Sequence, residues 1–147
     1  MKMYRYLALF DPCPDISGWY SVTFPDVPGA ITHGENITNA REMATDALEV
    51  ILGRYITKGE DLPVARTKRG KGGHWIEPSA LAQIKLALYV EFRRAHVSKT
   101  GLARKMGIAK QQIDRLFDLQ HSSRVEQLEG AFRAIGKTIT ISVEDAA

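Results

Sequence analysis

Once Ile113, Leu116 and Phe117 are assigned inward on an amphipathic helix over residues 109 to 119, six side chains remain outward: Lys110, Gln111, Gln112, Asp114, Arg115 and Asp118. Glutamine can pair with adenine N6 and N7, and arginine or lysine with guanine O6 and N7. Each good bidentate pair discriminates by about 1–3 kcal/mol. The first turn of a recognition helix enters the major groove deepest, so Lys110, Gln111 and Gln112 lead the base-edge candidates, with Arg115 on the same helix. Ser98, Lys99 and Thr100 open the preceding segment, where free N–H groups and the helix dipole favour phosphate. His121, Ser122 and Ser123, with Arg124, follow and can grip the backbone. The same residue types also serve as solubilising and capping residues on exposed faces, so spacing has to carry the reading.

The spacing is that of a helix-turn-helix. Ala103, Gly107 and Ile113 stand four and six residues apart. A second helix can press against the first where Ala103 offers only a methyl, the chain can turn at Gly107 where a positive φ is cheap, and Ile113 closes the small core between them. Met106 and Leu116 fill the remainder. One such unit covers too few base pairs to be selective, so a homodimer with half-sites roughly 34–36 Å apart is expected. A short strand over 138–143, with Ile139, Ile141 and Val143 on one face, would pair with its copy and hide its edge.

Enzymatic chemistry finds no comparable pattern. Asp11, Asp15, Asp26 and Glu35 are the carboxylates a two-metal hydrolase would need, but three lie in proline-bounded turns and one in a loop, so convergence is not expected. Cys13 is flanked by Asp11 and Asp15, the wrong field for a thiolate. His33, His74, His96 and His121 show no metal-ligand spacing with one another or with Cys13. Gly70-Lys71-Gly72-Gly73 lacks the Ser or Thr and the helix of a phosphate-binding loop. No catalytic residue, metal or cofactor is expected.

The elements that must position these residues follow from hydrophobic period. Residues 3–10 are apolar on both faces, as in a strand covered on both sides, and 16–24 alternate like a half-buried strand. Pro25-Asp26-Val27-Pro28-Gly29 turns the chain into a third strand at about 30–33, beside its predecessor. Thr38 is the expected cap of a helix with Ala40, Met43, Ala44, Ala47, Leu48, Ile51, Leu52 and Tyr55 inward, and Gly59 closes it. Residues 63–73 carry four cations and three glycines without apolar period; an exposed loop is expected, whether solvated or an arm for nucleic acid. Trp75, Ile76 and Glu77 suit a last strand. Beyond Pro78 the pattern is helical, with caps at Ser79 and Ser98 and stops at Gly107 and Gly136; Leu81, Ile84, Leu88 and Phe92 sit at core spacing in the first of these helices. The expected class is α+β: a βββα(β) unit over 1–77, then an all-α helix-turn-helix and dimerisation unit over 78–147 with its short C-terminal strand.

Composition agrees with this division. The chain has 147 residues, 44% hydrophobic and 25% charged, and one cysteine, so it forms no internal disulfide. With neither a long apolar run nor a charged start leading into an apolar core, no membrane association and a reducing, cytoplasmic address are expected. The net charge of +3 hides an asymmetry: residues 1–65 carry 5 basic and 9 acidic groups, residues 79–147 carry 11 and 7. An acidic half complements a basic protein, and a basic half complements nucleic acid.

The order of parts resembles the HicB antitoxins of the helix-turn-helix type. The resemblance is carried by Gly18-Trp19-Tyr20-Ser21-Val22-Thr23-Phe24-Pro25-Asp26-Val27-Pro28-Gly29-Ala30, by Thr32-His33-Gly34-Glu35, and by Ala44, Ala47 and Leu48. In the second half it rests on residues 102–107, Gln111, Arg115-Leu116-Phe117, His121 and residues 134–137. It implies a partial RNase H-like N-terminal fold that binds and occludes a small basic mRNA-cleaving HicA-type toxin, and a C-terminal unit that represses its own operon at double-stranded operator DNA. Trp19, Tyr20, Phe24, Asp26 and Glu35, aromatics bordered by acids, are then the expected toxin contacts, although Tyr20 and Phe24 serve equally well as core. A stand-alone dimeric repressor with a ligand-binding or self-associating N-terminal unit is the alternative.

Overall fold

The computed structural model describes residues 3–146. It is α+β and divides into two compact units, Tyr4–Gln83 and a second that begins at Ile84. The first holds four antiparallel strands, β1 (Tyr6–Pro12), β2 (Tyr20–Thr23), β3 (Ile31–Gly34) and β4 (Gly73–Ile76), in the order β3-β2-β1-β4. Helix α1 (Ile37–Lys58) lies between β3 and β4 in the chain and packs on β3, β2 and β4. Registers such as Phe10 opposite Val22 and Tyr6 opposite Ile76 put Tyr6, Ala8, Phe10, Val22 and Ile76 on one sheet face, all 3% exposed or less. Ala40, Ala44, Leu48, Ile51, Leu52 and Ile56 of α1 supply the facing layer. Full burial of each large apolar side chain is worth about 1.5–3 kcal/mol, which makes this layer the main source of the unit's stability.

Helix α1 starts one residue before the expected cap. Asn36, not Thr38, is its N-cap, with a side-chain oxygen that accepts from Asn39 N–H at 2.8 Å. Only two residues separate β3 from α1, so the cap has to sit at once after the strand. Gly34 permits this closeness: a Cβ there would collide with the backbone of Ala40. At the far end Gly59, at φ 69°, closes the helix through Tyr55 and Ile56 carbonyls, as its position suggests. Met43, expected inward, is 39% exposed, while Ile56 is buried instead.

The second part of the chain is helical: α2 (Ala80–Ala95), α3 (Lys99–Met106), α4 (Lys110–Phe117) and α5 (Val125–Ala134). The division between units falls within α2. Leu86, Leu88, Tyr89, Leu102, Ile113, Leu116, Phe117, Leu128 and Phe132 form the core of the second unit, and Phe92 lies 4.9 Å from the Phe117 ring. The stripe expected on α2 is rotated, since Leu81 and Ile84 are only half-buried while Lys85 is fully buried. The expected C-terminal strand does not form in the single chain. Residues 138–143 take no regular structure, and Ile141 and Val143 are 67% and 94% exposed. They pair with no strand among the described residues, and a lone strand cannot satisfy its own backbone.

Candidate functional site

The face expected to meet nucleic acid is built on two eight-residue helices. Ser98 caps α3 by accepting from Gly101 N–H at 2.9 Å, so its hydroxyl is already engaged. Gly107, at φ 66°, ends α3, and the chain turns directly into α4. Ala103 is 6% exposed and Ile113 fully buried, so the methyl-sized contact and the closing aliphatic both stand where the spacing puts them. Helix α3 packs against both α4 and α5.

On α4, Lys110, Gln111 and Arg115 are exposed, and among the described residues their side chains enter no hydrogen bond or ion pair. Gln112 is not equally available. It is half-buried, and its Oε1 accepts from Ala109 N–H at 3.2 Å, which turns it back to cap its own helix. Lys99 is likewise engaged, with Nζ 2.9 Å from Asp114 Oδ1 and 5.9 Å from the Phe117 ring centroid. It ties α3 to α4, whereas Thr100 stays exposed beside it. Past α4, Ser122 is exposed, while His121 Nδ1 and Ser123 Oγ lie 3.3 Å apart and Ser123 Oγ donates to Arg115 O at 3.4 Å.

Lys85 is the residue the sequence reading missed. It is fully buried, and its Nζ donates to the carbonyls of Arg115, Asp118 and His121 at 2.9, 2.7 and 2.6 Å. Arg115 O and Asp118 O also accept from the N–H groups of Asp118 and His121, so the ammonium adds a further donor to the turn that closes α4 and meets the negative end of the helix dipole. Burial pushes the Lys85 pKa below the usual lysine value, and the Asp118 carboxylate partly opposes that shift. A signal was present, because Lys85 falls four residues after Leu81 and four before Tyr89, inside an apolar stripe. Arg104, Lys105 and Arg124 add exposed cations near the same helices.

In the first unit the five expected contacts separate. Tyr20 stands opposite Gly34 across β2 and β3, and Gly18 approaches the Glu35 carbonyl, so Trp19, Tyr20 and Glu35 share one end of the sheet. Trp19 is 36% exposed, Tyr20 half-buried and Glu35 exposed. Phe24, at the opposite end of β2, is 4% exposed and belongs to the core, not to an exposed surface. Asp26 is engaged elsewhere: its carboxylate accepts from Arg66 N–H at 2.9 Å, Thr67 N–H at 2.7 Å and the Thr67 hydroxyl at 2.9 Å. Burial alone would raise its pKa. The Thr67 and Arg66 hydrogen bonds, with the Arg66 charge, outweigh it and hold the carboxyl below its ordinary value.

Among the described residues no three His, Cys, Asp or Glu side chains come together as a metal site, and no helix is long and apolar enough to cross a membrane. A family model for the HicB-like antitoxin of bacterial toxin–antitoxin systems matches residues 6–71. The chain is 33% identical to Antitoxin HicB of Escherichia coli (strain K12) over 137 residues, 93% of this chain and 97% of the relative. It is 31% identical to Antitoxin HicB 1 of Photorhabdus laumondii over 144 residues, 98% and 90% of the two chains. It is also 31% identical to Antitoxin HicB of Pseudomonas fluorescens over 130 residues, 88% of each.

Proposed function

The chain belongs to the HicB-like antitoxins of bacterial toxin–antitoxin systems, and from that premise we propose that its first unit binds and occludes a small basic HicA-type toxin while its second binds operator DNA and represses its own operon. The observation that carries the reading is that the match to named antitoxins runs through both units, α3 and α4 included. In this reading the βββαβ unit is a partial RNase H-like domain without catalytic carboxylates. Trp19, Tyr20 and Glu35 are its toxin contacts, with Phe24 supporting them from the core and Asp26 holding the neighbouring chain.

Helices α3 and α4 act as a helix-turn-helix. Lys110, Gln111 and Arg115 reach base edges, while Thr100, Ser122 and the exposed cations around them meet phosphate. Ser98, Lys99, Gln112, His121 and Ser123 then act chiefly by fixing the two helices and the turn after them. The protein works as a homodimer in the cytoplasm, and residues 138–143 pair across the two-fold axis to hide Ile141 and Val143.

Co-expression with the small basic protein encoded beside it, followed by gel shift on the upstream DNA, tests both halves. Arg115→Ala or Gln111→Ala should weaken operator binding by about 1–3 kcal/mol and leave toxin neutralisation intact. Loss of both activities with an unchanged melting curve would remove the two-unit reading. Intact operator binding without any co-purifying partner would favour a stand-alone repressor.

A further inference from the structure

The backbone of residues 63–73 is pinned to the first unit, which fixes where their four cations leave the surface. Alternation along β1 puts Leu7 and Leu9 on the sheet face away from α1, because Phe10, on the α1 side, stacks on His74, whose Nδ1 lies 3.3 Å from Arg41 of α1. The end of the segment lies on this second face: a Cβ on Gly73 would touch Leu7, and one on Gly70 would touch Leu9. Four sets of bonds hold the segment along its length, the first of them from Tyr6 on the α1 side of the sheet. Tyr6 Oη donates to Pro63 O at 2.8 Å, Asp26 takes three hydrogen bonds from Arg66 and Thr67, Phe10 N–H donates to Gly72 O at 2.8 Å, and Gly73 N–H donates to Gly70 O at 3.0 Å. With Thr67 turned in toward Asp26, Arg66, Lys68, Arg69 and Lys71 are all exposed. Arg5 joins them on this face, its guanidinium 4.4 Å from the Trp75 ring centroid, and Asp11 and Glu77 are the acids at its margins.

We propose that this pinned strap, with Arg5, is a second polyanion-binding surface that contacts the phosphate backbone of nucleic acid independently of α4. An acidic protein segment is the less fitting partner. Apart from Val64, 61% exposed at the start of the strap, and Trp75, already covered by Arg5, the strap offers exposed cations. A single aliphatic is short of the cluster of aromatic or aliphatic anchors on which a protein interface is normally centred. Backbone phosphate needs only cations in fixed places, because such contacts position without reading sequence. Fixing the strap in advance removes the ordering cost that a free basic loop meets on binding. The surface sits in the unit whose remaining charge is acidic, so it lets a toxin-bound antitoxin hold nucleic acid without lending its acidic side to it.

The test uses the full chain in an Arg115→Ala, Lys110→Ala background, so that failure of the α4 reading and failure of this one are distinguishable. Binding of random-sequence duplex DNA, single-stranded RNA of the same length and polyglutamate is measured across a salt series. Replacing Arg66, Lys68, Arg69 and Lys71 together by Gln leaves the Asp26 bonds in place, since these engage backbone N–H groups and Thr67. The salt slope should fall by about 3 to 4 on whichever nucleic acid is the ligand, the preferred probe telling DNA from RNA. Asp26→Asn, which removes one negative charge but releases the strap, should weaken binding by about tenfold. An unchanged slope with both nucleic acids, an effect confined to polyglutamate, or tighter binding by Asp26→Asn would each overturn the proposal.

Discussion

At the scale of single residues, two charged side chains act inside the molecule instead of outward. Lys85 binds three carbonyls in the last turn of α4 and the segment after it. Arg115 O and Asp118 O also accept from the N–H groups of Asp118 and His121, so replacing Lys85 with Met would strip a second donor from these two and the ammonium from His121 O, at a total cost of about 1–3 kcal/mol. Lys85→Met should therefore lower the urea midpoint, and an unchanged midpoint would show that water replaces the ammonium freely. Asp26 gives a pH test. Its carboxyl is held below the ordinary value of 3.8, so as pH falls the unfolded chain takes up the proton first. The stability it contributes is present above that ordinary value and lost as pH drops through the lower folded value. Asp26→Asn should flatten the acid side of the stability profile and speed amide exchange at Arg66 and Thr67; parallel profiles would exclude the mechanism. The Asp26 role was not legible in the sequence, and that of Lys85 only as a cation inside an apolar stripe. Asp26 meets partners 40 and 41 residues away, which no local pattern reports, and a lysine in a helix is by default a surface residue.

At the scale of elements the sequence was more informative, because helix ends are local chemistry. Gly59, Ser79, Ser98 and Gly107 all act where their types suggest, since an N–H donor or a left-handed turn is needed within a few residues of each. Thr38 misled because Asn36 offers the same chemistry two residues earlier, and the shortness of the β3–α1 link, a property of packing, decides between them. The 138–143 strand is absent from the single chain for a different reason: its alternation is real, but the partner expected for it is a second copy. Gly107 carries the clearest prediction at this scale. Its φ of 66° sets the angle between α3 and α4, and a Cβ there would meet nothing within 4 Å, so Gly107→Ala introduces backbone strain without a clash. The cost should be about 1–2 kcal/mol, with Gly107→Asn closer to the parent protein. Equal melting of all three proteins would show that the turn does not require the left-handed region.

At the scale of the whole molecule, the end of the first unit can be located by its hydrogen bonds. Gln83, 8% exposed, clamps the start of β1: its Oε1 accepts from Tyr4 N–H at 2.7 Å and its Nε2 donates to Tyr4 O at 2.6 Å. Ser79 N–H adds a bond to Glu49 Oε1 at 2.7 Å, which ties the first turn of α2 back to α1. A fragment ending at residue 77 lacks all three bonds, and a fragment ending at Gln83 keeps them. At about 1 kcal/mol for each net hydrogen bond, the longer fragment should be more stable by about 2–3 kcal/mol. Fraying of α2 in an isolated fragment reduces this, because only its first turn remains and short helices are marginal alone. The comparison also separates folding from function: both fragments should lose operator binding, while the one ending at Gln83 should still neutralise the toxin when co-expressed with it. If the fragment ending at 77 melts at the same temperature, Gln83 is not part of the unit's fold. If the longer one folds yet cells co-expressing the toxin still die, toxin occlusion needs residues beyond Gln83.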